Sequence, residues 1–474
     1  MHLRKPPLNN PSETSNRHQE ASTLLVATVT SFIGPYLISA VNVALPAIQT
    51  EFAISAVTLS WVATSYLLST AVFLVPMGKI ADIYGRKRIF TFGLILLTAT
   101  AFFLSLTASV PVLIFLRAMQ GFSAAMIVST GMAILTSVFP PERRGRAIGI
   151  YVAAVYVGLS VGPTVGGILT HHFGWRSVFW SIIPLGLASV AITITCLKGE
   201  WKGQPGETFD LSGSLIYGAS LLLLMYGASL APDVFGLISA GLGVLGFFWF
   251  FKHEQSIPWP VFEVRLFQHN RVFAFSSLAA LINYAATFAI TFMMSLYLQL
   301  VKGFNPQTAG FILVAQPMVQ AILSPVAGRW SDRVEPRILA STGMGLTAAG
   351  LLQLVFIHQE TPVWYVTGIL MMLGVGFALF SSPNTNAIMG SVEKKHFGIA
   401  SGAVATMRLM GQMASMAIVT IIFSLCLGGE PVCASSLTFF LLSLKIIFLI
   451  FMGLCLAGIY FSLGRGNLRL MSDE

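Results

Sequence analysis

The chain has 474 residues, of which 55% are hydrophobic and only 9% charged, with a mean hydropathy of +0.80 and a formal net charge of +9. Soluble domains are about one quarter charged, so this composition excludes a soluble enzyme or binding module. A β-barrel is excluded too, because its segments are short and alternate in polarity. The apolar residues form fourteen runs that are long enough to cross a bilayer as helices.

Residues 1–23 are polar and rich in Pro, Asn and Ser, and are expected to form a disordered cytoplasmic tail. No small-residue cleavage site follows a short apolar stretch, so the first long run is expected to stay as a span rather than be removed as a signal peptide. The predicted spans are 24–46, 58–78, 89–108, 112–138, 147–170, 177–197, 211–230, 236–251, 272–298, 308–328, 338–357, 362–386, 398–427 and 437–463, the eighth being the shortest. Nearly all of the 27 Lys and Arg residues fall on one side of this pattern; the other side holds only Arg176 and Lys302. By the positive-inside rule both termini are expected in the cytoplasm, and an even number of spans agrees. The expected location is the plasma or inner membrane, as a multi-pass protein.

Several chemistries have no footing in this sequence. Cys196, Cys426, Cys433 and Cys455 show no metal-ligand spacing. No Gly-rich loop ends in Lys-Ser or Lys-Thr, so an ATP-driven pump is not expected and energy should come from a gradient. The basic residues are split among short turns, which argues against nucleic-acid binding. No cofactor and no metal are expected.

An internal repeat is visible. The segment GKIADIYGRKR, Gly78 to Arg88, is echoed by GRWSDRVEPR, Gly328 to Arg337, at an offset of 250 residues. Gly78 matches Gly328, Asp82 matches Asp332, and Lys87 matches Arg337. Repeated halves are a common construction for alternating access in secondary transporters. The expected organisation is a six-helix bundle over 24–198, two additional helices over 199–252, a linker and second six-helix bundle over 253–463, and a cytoplasmic tail over 464–474.

Five stretches resemble the major facilitator superfamily, and specifically its fourteen-span drug:proton antiporters: the loop Gly78–Arg88, LRAMQG (Leu116–Gly121), GLSVGPTVGG (Gly158–Gly167), VNVALP (Val41–Pro46) and YLQLVKGFNPQTAG (Tyr297–Gly310). The resemblance implies an all-α integral membrane fold of fourteen helices arranged 6 + 2 + 6. It implies a secondary transporter, not an enzyme, that exports amphiphilic or drug-like small molecules by alternating access in exchange for protons. It would act as a monomer in the lipid bilayer. A metabolite-anion or lipid-like substrate and a non-transporting membrane receptor are the alternatives.

The candidate gating residues are Gly78, Asp82, Arg86, Lys87, Arg88, Gly328 and Asp332, together with Gly158, Gly162, Pro163 and Gly166 of the fifth span. Asp82 sits in a tight turn where it can pair with arginine and accept from helix N-termini; the resemblance implies that it is the gating acid. The three glycines recur every four residues and form a smooth stripe, expected to let span 5 approach the other half. The candidate cavity or coupling residues are Tyr36, Asn42, Trp61, Tyr66, Arg117, Gln120, Asn283, Tyr284, Asn384, Arg408, Gln412 and Lys445. Ionised groups in lipid are costly and should face the protein interior, and Arg117, Arg408 and Lys445 are the charged residues inside the predicted spans. None of the 18 acidic residues is there. The related antiporters usually carry an acid in the first span; Leu37 stands in its place. A cationic substrate would then meet positive residues without a buried counter-charge.

Overall fold

A computed structural model describes residues 11–466 apart from 204–207, 259, 332, 393–396, 429–431 and 433–435; Asp332 and Cys433 therefore lie outside the described residues. Fourteen helices are long and apolar enough to span a membrane. They are span 1 (Gln19–Phe52), span 2 (Ala56–Tyr84), span 3 (Arg86–Leu106), span 4 (Val110–Val138), span 5 (Arg143–Phe173), span 6 (Arg176–Cys196) and span 7 (Leu211–Leu230). The series continues with span 8 (Val234–Glu254), span 9 (Arg271–Val301), span 10 (Pro306–Ser331), span 11 (Pro336–Val355), span 12 (Val363–Gly390), span 13 (Ala400–Leu427) and span 14 (Leu437–Gly464). In hydrocarbon every backbone group must be satisfied within the segment, which is why uncharged runs of this length become helices.

The ends carry their own signals. Ser55, Asp210, Asn270 and Asn305 cap spans 2, 7, 9 and 10 by accepting from backbone N–H groups three residues on. Pro306 and Pro336 begin spans 10 and 11, where a missing N–H costs nothing. One expectation is corrected at the N-terminus. The first helix begins at Pro11, so residues 11–23 extend it instead of forming a disordered tail. Glu20 on this extension pairs with Arg143 at 3.2 Å, tying it to the start of span 5.

The packing has an internal two-fold pattern. In the first six spans, span 1 packs on 5, 2 on 4, 3 on 4 and 3 on 6; in the last six, 9 packs on 13, 10 on 12, 11 on 12 and 11 on 14. These pairs correspond under the 250-residue repeat. The contacts between the halves correspond as well, since span 5 meets span 10 and span 2 meets span 13. Spans 7 and 8 form a hairpin that leans on both halves: span 7 touches span 2 and span 13. Tyr217 donates to the Ala71 carbonyl at 3.2 Å, and Ser424 donates to the carbonyl of Ala231 at the hairpin's tip. Span 8 is the least buried of the fourteen, at 17% of its window, and turns Phe235, Phe248 and Trp249 outward towards lipid.

Where the halves touch defines the state. We call the end of the molecule that carries the 78–88 turn the basic end. At the opposite end Gln49 donates to the Val432 carbonyl at 3.1 Å, Ser60 shares a 2.9 Å hydrogen bond with Thr420, Gln299 donates to the Val43 carbonyl at 2.9 Å, and His172 lies 3.1 Å from Gln307. Near mid-depth Tyr156 and Ser381 are 3.2 Å apart. The side-chain hydrogen bonds found between the two halves thus gather at the end opposite the basic one and near mid-depth.

The glycine stripe of span 5 has a different partner from the one expected. A Cβ on Gly158, Gly162 or Gly166 would strike Phe32, Ser39 or Ala40 of span 1, within the same half. It is Pro163, with Gly167 beside it, that faces the other half, against Gly310 and Pro306. The stripe falls on span 1 because residues at intervals of four lie on one helix face, and Pro163 is rotated off that face. Gly166→Ala, which would meet the Ala40 backbone at 2.6 Å, is expected to destabilise the protein by about 1–3 kcal/mol. Gly149→Ala, with nothing within 4 Å of the new methyl, should be neutral or slightly stabilising. Thermal unfolding of the two purified variants checks the contrast; equal midpoints would remove this role for the stripe.

Candidate functional site

Arg117 lies two turns inside span 4 and is only 1% exposed. Its Nε donates to the Val62 carbonyl of span 2 at 3.1 Å, and its Nη1 donates to Gln120 Oε1 at 2.6 Å. The guanidinium carbon stands 4.6 Å from the centre of the Tyr66 ring, a cation–π arrangement that gains strength away from water. Three predicted residues are thus brought together around one buried charge. They meet because Gly121 has no side chain: any Cβ there would run into the Tyr66 carbonyl. Thr70 locks the approach by donating to the Gly121 carbonyl at 3.1 Å and to the Tyr66 carbonyl at 2.7 Å.

A second constellation occupies the seam between the halves. Arg408 of span 13 is half-buried, and its charge reaches Tyr66 of span 2 and Tyr151 and Tyr156 of span 5. Tyr156 also faces Tyr284 of span 9 and Ser324 of span 10, besides Ser381 of span 12. Tyr151, Tyr156, Ser324 and Ser381 were missed in the sequence. Aromatic and hydroxyl residues abound in membrane helices, and nothing in their spacing shows that they converge. Several buried polar atoms lack a hydrogen-bond partner: Gln120 Nε2, Ser65 Oγ, both amide atoms of Asn283 and Gln412 Oε1. Buried polar groups are normally satisfied by protein, water or ligand, so these atoms are unused capacity.

Other predicted cavity residues sit elsewhere. Lys445 is exposed, in line with Leu442 and Leu449 on the outward stripe of span 14; its ammonium is directed to lipid and the interface, not to the seam. Tyr36 is buried within the first half, bonded to Ser181 of span 6 at 2.9 Å and stacked on Phe32. Asn384 serves the basic end of the second half, donating to the Ser276 carbonyl at 3.0 Å and accepting from Arg465 at 2.8 Å. Arg465 was assigned to the tail by its position, yet it is 2% exposed and also donates to Ser276 Oγ at 3.1 Å. Burial lowers its affinity for its proton, to a pKa of about 10, so the guanidinium stays charged. Asn42 is buried on span 1 and Trp61 half-buried on span 2.

Comparison with known proteins settles the family. The model of the Major Facilitator Superfamily matches residues 25–416 and 276–468. The chain belongs to the Major Facilitator Superfamily. Among its relatives, the multidrug resistance protein Stp of Mycobacterium tuberculosis is 31% identical over 387 residues, covering 80% of this chain and 71% of that one. The riboflavin transporter RibZ of Clostridioides difficile is 28% identical over 398 residues, covering 82% and 85%. The cephamycin export protein CmcT of Amycolatopsis lactamdurans is 28% identical over 431 residues, covering 88% of each. In fold, a bacterial homologue of the human lysosomal transporter Spinster, solved inward-facing and unoccupied, superposes with a TM-score of 0.66 at 15% identity, covering 94% of this chain and 96% of that one. The protein is a multi-pass membrane transporter, not an enzyme.

In this facilitator Asp82, Arg86, Lys87 and Arg88 of the 78–88 turn bond to their own half and to the segment that follows span 6. Asp82 pairs with Arg86 at 2.7 Å, and Arg86 reaches Ser137 at 3.2 Å. Glu200, which the sequence did not single out, accepts from the Lys87 amide at 2.7 Å and lies 3.7 Å from Arg88. Lys87 Nζ donates to the Leu197 carbonyl, and the Arg86 amide donates to the Trp201 carbonyl at 2.8 Å. Gly203 donates to the Asp82 carbonyl at 2.7 Å. The turn is therefore clamped to the segment leaving span 6. A Cβ on Gly78 would find only Ser129, at 3.6 Å, and one on Gly328 only Ser382, at 3.9 Å.

Removing Arg117 leaves Gln120 Oε1 without its donor and empties the space beside the Tyr66 ring. Arg117→Ala is expected to lower transport at least tenfold in proteoliposomes, with Arg117→Lys recovering less than half, because an ammonium cannot reproduce the planar fork. Lys445→Ala should stay within twofold of the parent. Equal losses in Arg117→Ala and Lys445→Ala would contradict the geometry.

Proposed function

We propose that this facilitator is one of the fourteen-span drug:proton antiporters and exports amphiphilic, drug-like molecules that are neutral, zwitterionic or anionic. The observation carrying this reading is the tyrosine-lined seam around Arg408, backed by the buried Arg117 centre. It offers aromatic faces and positive charge. Among the described residues, the acids in the spanning helices lie near their ends: Glu20, Glu51, Asp82 and Glu254. A cation bound at mid-depth would have no buried counter-charge, and desolvating it there is unfavourable. Relatives named for multidrug resistance, cephamycin export and tetracenomycin C export agree with the substrate class.

The two six-helix halves rock about the bound substrate. With the basic end cytoplasmic, as the distribution of Lys and Arg favours, the state described opens inward. Opening outward breaks the seal of span 5 against span 10 and of span 2 against span 13, and closes the basic end around the 78–88 turn. Asp82 then exchanges its Arg86 pairing for contacts across the seam, which is how its latch would bias one state over the other. Protons drive the cycle, passing through water near Arg117 and the acids at the basic end. Gln120, Asn283 and Gln412 offer their unused hydrogen-bonding atoms to substrate.

A metabolite anion or lipid-like molecule is the second reading, favoured by the two buried or half-buried arginines, which would act as its counter-charge. Proteoliposome flux separates the cases. The expected result is transport of a carboxylated fluorescein dye and of a neutral flavin that is accelerated by an imposed pH gradient and not inhibited by tetraphenylphosphonium. Flux indifferent to the gradient would overturn proton antiport. Movement of the phosphonium cation alone would overturn the substrate class, and movement of small carboxylates but not of the dyes would favour the second reading.

A further inference from the structure

Spans 7 and 8 leave the membrane side by side at the basic end, and an acid stands at the mouth of each. Asp210 caps span 7: its Oδ1 accepts from the Gly213 amide at 3.0 Å and from the Ser212 hydroxyl at 2.8 Å. His253 of span 8 flanks it, with Nε2 3.3 Å from Oδ1 and 3.2 Å from Oδ2. Glu254, only 2% exposed, accepts from the Phe262 amide through Oε2 at 2.7 Å. One oxygen of each acid remains. Asp210 Oδ2 and Glu254 Oε1 are buried, and neither accepts a properly directed hydrogen bond. Both crowd the same face of Gly213, where an added methyl would collide with the two together.

Ionised carboxylates only accept hydrogen bonds, so two facing oxygens cannot satisfy one another, and two like charges in a shared buried site repel. A single proton resolves both conflicts, since a protonated carboxyl donates to its neighbour. We infer that Asp210 and Glu254 bind one shared proton, forming a protonation site at the base of the hairpin that is separate from the Arg117 centre and the seam. The proton resides on Glu254. Burial opposes the charge on Asp210, but the bonds from Gly213, Ser212 and His253 outweigh it and hold that carboxyl below its ordinary range.

The charges that bear on the pair are each other's and that of His253; Lys79 and Asp82 of the neighbouring span 2 stand at the same end of the molecule. Lys252, adjacent in the chain, is exposed. Among the described residues no group of three or more His, Cys, Asp and Glu is arranged to hold a metal ion, and two facing carboxyl oxygens fit a shared proton. When the proton leaves, Asp210 stays fixed by its cap and its imidazole, and Glu254 is the partner that must move. Its bond to Phe262 is the tie between the hairpin and the segment leading to span 9, so proton occupancy controls that tie.

Infrared difference spectroscopy on the purified full-length protein in liposomes, titrated with acid and base, reads this site without substrate and so independently of the transport reading. The parent should show one carboxylic-acid carbonyl band that disappears on raising the pH as a single proton leaves. Glu254→Gln, nearly identical in shape, should lose the band entirely. Gly213→Ala should also lose it, by forcing the oxygens apart while circular dichroism shows the helices intact. A parent without the band, or a band that persists unchanged in Glu254→Gln, would overturn the proposal. So would stabilisation of the parent by calcium or magnesium that Glu254→Gln abolishes, because the ligand would then be a metal ion.

Discussion

The guanidinium of Arg117 constrains everything built around it. A charge without a carboxylate partner is tolerated in a membrane interior only where other dipoles surround it. Here a backbone carbonyl, a glutamine amide and an aromatic face do so. Each demands proximity: span 2 must lie against span 4 closely enough for Val62 to be reached, which in turn requires Gly121. The first half is thus closely packed around Arg117. Against it the second half presents Arg408, less buried and facing Tyr66, Tyr151 and Tyr156 of the first half.

The seal at the opposite end follows the same economy of parts. Two helix pairs, spans 5 with 10 and 2 with 13, are exchanged by the internal repeat, so one sequence solution is used twice. Their contacts are backbone approaches and single neutral hydrogen bonds. Such bonds contribute about 0.5–1.5 kcal/mol each, a scale that a conformational cycle can break and remake. Stronger charge-assisted bonds hold the first half together: Arg176 grips Glu51 at 2.7 Å and the Thr107 carbonyl at 2.8 Å, and Asp82 grips Arg86.

Much of this was legible in the sequence, for physical reasons that also explain the gaps. Fourteen spans could be read because hydrocarbon imposes length and apolarity directly on the chain. Arg117 stood out because a charge is rare in such a run, and Gln120 because it lies one helical turn away. Lys445 was visible for the same reason but was drawn to the wrong side: rarity reveals a charge without saying which face of the helix carries it. Tyr151 and Tyr156 carry no such rarity. Arg465, Glu200 and Glu254 sit at helix ends, where charges are ordinary, and only the packing of distant segments buries or pairs them. The stripe at Gly158, Gly162 and Gly166 lies against span 1, a neighbour set by tertiary arrangement that the spacing of the glycines does not name.

The additional hairpin has a mechanical meaning. Span 7 is tied to span 2 through Tyr217 and, by its tip, to span 13 through Ser424, so it bridges the two halves. Span 8, the more lipid-exposed partner, gives the bilayer a large surface on which to act. A shift of span 8 in the bilayer would be felt first by span 7, because the two pack along their length, and through span 7 by both halves.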